Sequence, residues 1–219
     1  MRRPSTQAEL FEKSAPEPLP EGIWHRSGLF DPPFQADLAR AVAEIALKAP
    51  FRQPRMKGKG MFSAAITNAG LAGWWSDERG YRYERTQPGA TDPWPGLPEI
   101  FRDAVARAVA GTPWPDFTSD ACLINFYGAG AKMGLHQDKD ERDFSQPIVT
   151  VSLGDAADFL IGGAKRSEPS RAVRVESGDV MIMGPPSRMR FHGVRRVFSG
   201  TSPIPHVTGR YSLTFRKAL

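Results

Sequence analysis

The chain has 219 residues, 40% of them hydrophobic, enough to build one sizeable core. Lys and Arg outnumber Asp and Glu by 29 to 24, a formal charge of +5 that is compatible with a polyanionic partner. No run is long and apolar enough to cross a membrane, and the single cysteine, Cys122, allows no intramolecular disulfide, so a helical membrane protein and a disulfide-stapled scaffold are both excluded.

Residues 1–22 are polar and proline-rich with no apolar period, and they read as a mobile arm. They lack the apolar stretch of a secretory leader, so a cytoplasmic, reducing location is expected. The spacing of Leu38, Val42 and Ile45 predicts a helix over 36–48, stopped by Pro50. Arg52, Arg55, Lys57 and Lys59 then crowd into residues 51–62, and Trp74, Trp75, Tyr81 and Tyr83 follow. Basic and aromatic side chains together are what backbone contact and base stacking require. A second helix is predicted over 97–110 from Ile100, Phe101, Val105 and Val109, with Gly111 as its cap. Short β-like runs at 121–127, 147–153, 157–161, 171–176, 179–183, 188–194 and 210–216 complete the chain, separated by glycines. Helices followed by many short strands predict a mixed, mainly β fold, a jelly roll with the helices packed on a double sheet. Trp24, Trp94, Trp114 and Cys122 are expected in the core. His25 and His206 fall in no ligand spacing and are expected at the surface or in loops.

His136 and Asp138 stand two residues apart, a separation that puts both on one face of a strand. His192, from a distant strand, would complete a two-histidine, one-carboxylate face with open positions, a set that suits non-heme Fe(II) and O2 chemistry. In the last run, Arg210, Ser212, Thr214 and Arg216 share a face over about 20 Å of strand. Two arginines there could grip a short dicarboxylate; the same alternation also describes a solvent face over an apolar one. Asn125 and Tyr127 alternate likewise, as carboxylate contacts or as ordinary outward polar residues. Asp140 and Glu141 by themselves read as a solvated acidic turn, and Thr67 and Asn68 as a turn.

Taken in order, Asn125-Phe126-Tyr127, Leu135-His136-Gln137-Asp138-Lys139-Asp140, His192-Gly193 and Arg210 to Arg216 resemble the AlkB family of Fe(II)/2-oxoglutarate-dependent dioxygenases, which repair alkylated DNA. The resemblance reaches upstream through Phe51, Gln53, Thr67-Asn68, Gly73-Trp74, Gly80-Tyr81 and Pro93-Trp94-Pro95, and covers about residues 50–217. It implies a double-stranded β-helix with a nucleotide-recognition lid at about 50–90, within one domain over 23–219. It implies iron on His136, Asp138 and His192, with 2-oxoglutarate and O2 as co-substrates. It places 2-oxoglutarate against Asn125, Tyr127, Arg210 and Arg216. Position 212 carries Ser where a family member has Asn, and the hydroxyl keeps a hydrogen-bonding group beside that acid. Trp74, Tyr81, Asp140 and Arg166 match substrate contacts. The implied reaction hydroxylates an N-methyl group of 1-methyladenine or 3-methylcytosine and releases formaldehyde, succinate and CO2. The implied partner is DNA, preferably single-stranded and alkylated, with RNA as the other polymer; no membrane and no obligate protein partner is signalled. The competing reading keeps the iron site and gives the oxygenase an RNA, a protein or a small molecule as its substrate.

Overall fold

The computed structural model of the protein describes residues 18–56, 58 and 60–219; residues 1–17 of the expected arm, and Lys57 and Lys59 of the basic cluster, lie outside the described residues. In chain order the elements are β1 (Ile23–Arg26), α1 (Pro32–Lys48), β2 (Ala65–Gly70), β3 (Gly73–Asp77), β4 (Gly80–Glu84), α2 (Glu99–Val109), β5 (Ala121–Tyr127), β6 (Met133–His136), β7 (Ile148–Gly154), β8 (Ala156–Ile161), β9 (Arg171–Val175), β10 (Val180–Met183), β11 (His192–Phe198) and β12 (Arg210–Arg216). Helix α1 starts four residues before the predicted span. The Asp31 carboxylate accepts the Phe34 N–H at 2.9 Å, and prolines fill the first helical positions, where their missing N–H costs nothing.

Six antiparallel strands form the larger sheet, in the order β1-β10-β7-β12-β5-β2, and four form the smaller, β6-β11-β8-β9. Period two along β5, β7 and β12 sends Cys122, Ile124, Val149, Val151, Leu213 and Phe215 to one face. There they bury against Leu38, Val42 and Ile45 of α1 and Phe101, Val105 and Val109 of α2. Each such side chain contributes about 1.5–3 kcal/mol on burial. The opposite face meets the smaller sheet: Tyr127, Met181 and Met183 pack on Ala157, Phe159, Ile161, Val194 and Val197. Two sheets face to face with helices outside one of them make the double-stranded β-helix. No helix among the described residues is long and apolar enough to cross a membrane.

Several local expectations differ. Thr67 and Asn68 sit in β2 rather than a turn; Thr67 Oγ1 donates to the Ala49 carbonyl at 2.6 Å, and the Asn68 amide brackets the Trp74 backbone at 2.9 and 3.1 Å. Within the segment at about 50–90, β2 is an edge strand of the larger sheet and β3–β4 a separate hairpin. Trp24 is 37% exposed on the edge strand β1 instead of buried, whereas Trp94 is buried and donates its indole N–H to the Glu84 carbonyl at 2.9 Å. His25 is fixed by Asp179 at 2.9 Å.

Candidate active site

Strand β6 ends at His136, so Asp138 reaches the site from the loop after it rather than from the strand itself. The geometry converges all the same. Register pairs His192 of β11 with His136 of β6, and ligand atoms of His136, Asp138 and His192 lie within 4.8 Å of one another. Gly193 permits the approach, since a Cβ there would sit 2.6 Å from the Met133 carbonyl oxygen. Each imidazole is oriented by a backbone carbonyl: His136 Nδ1 lies 2.9 Å from the Gly134 oxygen and His192 Nδ1 3.2 Å from that of Arg190. A carbonyl only accepts, so both Nδ1 atoms carry hydrogen, and Nε2 is the atom of each ring left to ligate a metal. Nε2 of His136 and of His192 stand 3.8 and 3.7 Å from the Asp138 carboxylate. Burial, with His136 beside it, pulls the His192 imidazole down to about 4, so it is neutral and ready to ligate. Two imidazoles and one carboxylate fit Fe(II) with positions left open.

Around this set runs a buried ionic network. Arg216 donates to Asp138 Oδ2 through Nη2 at 2.7 Å and through Nε at 3.2 Å, and lies 3.4 Å from Glu141. Arg188 donates to Glu141 at 2.9 Å and to the Asp138 carbonyl at 2.7 Å. Burial alone would push the Asp138 carboxyl up. The Arg216 guanidinium outweighs it, helped by His192, His136 and Arg188, and holds Asp138 well below the ordinary carboxylate range. Glu141 is therefore a buried ion-pair member and not a solvated turn residue.

Strand β12 is buried on both faces, so its arginines are not a surface ladder: Arg210 is 1% exposed and Arg216 5%. Register sets Arg210 opposite Tyr127, and Ser212 between Asn125 and Ser152. These side chains face the space between the sheets. Arg216 grips Asp138 instead of leaning towards Arg210. Arg210 donates to Ser152 Oγ at 2.8 Å, and among the described residues no carboxylate lies within ion-pair distance of it. Burial pulls it down to about 10. Its Nε and the Asn125 Oδ1 are buried without a hydrogen-bond partner among the described residues. A buried cation and unmet polar atoms fit an anionic ligand with hydrogen-bonding oxygens, as a dicarboxylate has.

Over the mouth lies the β3–β4 hairpin. Trp74 and Tyr81 stack at 5.6 Å with 15° between planes, and Phe62 meets both edge-on. Trp74 Nε1 donates to Asp140 Oδ2 at 2.7 Å, and Tyr83 donates to Glu141 at 2.6 Å. Arg82 ties the hairpin with two 2.8 Å bonds to Asp77 and one to Glu84. Arg166 is exposed on the loop after β8, its guanidinium 5.8 Å from the Phe191 ring. Arg52 donates to the Pro88 carbonyl, and Arg55 pairs loosely with Glu78 at 3.5 Å. Tyr83, Glu141, Arg188 and Ser152 are site-lining residues to which sequence reading gave no role in the site. Only Tyr83, one of the clustered aromatics, carried a signal.

A family model described as the 2OG-Fe(II) oxygenase superfamily matches residues 25–216. The chain is similar to the alpha-ketoglutarate-dependent dioxygenase AlkB of Escherichia coli (strain K12), with 42% identity over 213 residues, 96% of this chain and 97% of that protein. The alpha-ketoglutarate-dependent dioxygenase AlkB homolog of Caulobacter vibrioides (strain NA1000 / CB15N) is 44% identical over 196 residues, 90% of this chain and 86% of that protein. The solved structure of OsALKBH1 superposes with a TM-score of 0.76 at 31% identity, covering 92% of this chain and 99% of that one.

Proposed function

This chain belongs to the AlkB family of the 2OG-Fe(II) oxygenase superfamily, and from that premise we propose that it repairs DNA by oxidative demethylation of N-alkylated bases. It is an Fe(II)/2-oxoglutarate-dependent dioxygenase. Bound iron supplies the oxidation of an N-methyl carbon by O2, with 2-oxoglutarate converted to succinate and CO2 and the N-hydroxymethyl product releasing formaldehyde. The observation that carries the reading is the convergence of His136, Asp138 and His192 beneath an aromatic hairpin that touches Asp140.

His136 and His192 hold the metal through Nε2, and Asp138 through its carboxylate. Arg216 keeps Asp138 ionised and oriented. Arg210, with Tyr127 behind it, takes the distal carboxylate of 2-oxoglutarate, and Asn125 and Ser212 offer polar groups along its length. Trp74 and Tyr81 supply ring faces for a base, Asp140 accepts from its exocyclic amine, and exposed Arg166 reaches the substrate from the side. A carboxylate there favours the cationic rings of 1-methyladenine and 3-methylcytosine. A base in duplex must first be flipped at a cost of a few kcal/mol, so single-stranded DNA is the better substrate.

The test is formaldehyde and succinate release on single-stranded oligonucleotides that differ only in one base, with the same sequences as RNA and as duplex. Methyl-dependent release, fastest on single-stranded DNA, is expected. Succinate release that ignores the methyl group would overturn the reading. Asp140→Ala should lower repair of 1-methyladenine and 3-methylcytosine more than that of neutral 1-methylguanine and 3-methylthymine; an equal loss on all four would remove Asp140 from base recognition.

A further inference from the structure

The outer face of the smaller sheet carries a band of cations that the active site does not use. Phe159 stacks on His192 at 5.8 Å on the inner side, so its neighbour Asp158 points outward. Register places Arg196 of β11 and Arg174 of β9 on either side of Asp158, on that same outer face. Arg195, at the bulge in β11, pairs with Asp158 at 2.8 Å. Lys132 stands exposed one residue before β6, beside the Met133–Val194 pair. The band therefore holds four cations against one carboxylate and crosses four strands, about 15 Å at the spacing of strands in a sheet.

Two features mark it as built for phosphate. Arg174 and Arg196 both lie over the Phe198 ring, with guanidinium carbons 3.5 and 4.5 Å from its centroid. Neither has a carboxylate within ion-pair distance among the described residues. The stacked ring holds the guanidinium planes and leaves their N–H edges to a ligand. The near end of the band also joins the mouth of the site. The Lys132 backbone N–H donates to Ser63 Oγ at 3.0 Å, and Ser63 follows Phe62, which meets the Trp74 and Tyr81 rings. A strand with one base beneath Trp74 that left the site past Ser63 and Lys132 would carry its next phosphates over the band.

We propose that this face is a second nucleic-acid surface, one that holds the phosphodiester backbone beyond the substrate nucleotide. It rests on the reading that the substrate is a nucleic acid, and it assigns the chain a grip on long strands that short ones cannot use. Arg174→Glu/Arg196→Glu should weaken binding of a single-stranded 20-mer at least fivefold. It should also flatten the dependence of log affinity on log salt by about 1.4, because each phosphate contact on a single strand contributes about 0.7. Turnover of a trinucleotide carrying one methylated base should not change. Arg174→Lys/Arg196→Lys keeps the charge but not the planar fork, and should retain most of the salt slope. Unchanged 20-mer affinity and slope, in a variant with the melting temperature of the parent, would overturn the proposal. So would a variant that loses binding to phosphatidylserine vesicles and keeps binding to the 20-mer, since that assigns the band to a membrane surface. If the double glutamate variant fails to fold, Arg174→Ala/Arg196→Ala is read by the same slope. Binding of the 20-mer is measured without turnover, so an enzyme that binds it through the band yet demethylates nothing would overturn the repair reading alone.

Discussion

Asp138 is asked to ligate and to neutralise at once. Its carboxylate faces two imidazoles on one side and the Arg216 guanidinium on the other. The three proposed iron ligands should therefore fail differently. His136→Ala removes a ring that is a third exposed, and should change stability by less than about 1 kcal/mol while abolishing turnover. Asp138→Ala should abolish turnover and also destabilise the iron-free protein by about 3 kcal/mol, because among the described residues Arg216 keeps only Glu141 as a counter-charge. Urea unfolding of both variants in chelator checks this; equal stabilities would mean that Glu141 alone satisfies Arg216. The His136, Asp138 and His192 cluster was legible in the sequence because His136 and Asp138 are two residues apart and His192-Gly193 belongs to the family resemblance. The Arg216–Asp138 pair was not, since those residues lie 78 apart and only strand register brings them together. Nor was Glu141, whose burial depends on Arg188 from another loop.

At the scale of elements, the two-stranded β3–β4 hairpin adds charge to its strand pairing. Arg82 bonds Asp77 across the turn and Glu84 along its own strand. Arg82→Ala should loosen the hairpin that carries Trp74 and Tyr81. It should raise KM for a methylated oligonucleotide a few-fold and leave 2-oxoglutarate turnover without oligonucleotide unchanged; a change confined to kcat would count against a positioning role. A second charged staple joins β1 to the β9–β10 turn. Asp179 accepts from the Gly28 N–H at 2.7 Å and the Glu176 N–H at 2.9 Å, and bonds His25. Burial would raise its carboxyl, but the His25 bond and those two N–H groups hold it below the usual range. A carboxyl with a depressed folded-state pKa stabilises above its unfolded value, near 3.9, and loses that contribution as pH falls through the folded value. Asp179→Asn should cost about 1–3 kcal/mol at pH 7, and the gap to the parent should close as pH drops from about 5 towards 2. A gap that does not vary with pH would assign the loss to packing. Both helices were visible as apolar stripes. Strands β2, β3 and β4 were not: Thr67-Asn68 has the composition of a turn, Trp74 and Trp75 are adjacent in β3, and β4 alternates aromatics with charge and not apolar with polar.

For the whole molecule, the succession of helices and many short strands told that a jelly roll forms, and alternation told which residues of 121–127 and 210–216 share a face. It could not tell which polar face was wet. Asn125, Ser152, Arg210 and Ser212 alternate as solvent-facing residues do, yet all are buried between the sheets. Sequence period reports the side of a strand, whereas the second sheet decides what that side meets. The order β10-β7-β12-β5 was equally hidden, because strands distant in sequence pair by register. One consequence follows from the unmet Arg210 Nε and Asn125 Oδ1. Groups left wanting in the interior are answered when the co-substrate binds, and whatever binds only the folded chain raises its stability. At a hundredfold excess over Kd that is about 2.7 kcal/mol, or roughly 5–10 °C in Tm for a chain of this size. Adding 2-oxoglutarate with a redox-inert divalent metal should give such a shift, and Arg210→Ala should lose most of it; an equal shift in that variant would place the acid elsewhere. Melting then acts as a gauge of supply: a protein starved of its oxidisable acid is also nearer to unfolding and to the proteases that clear unfolded chains.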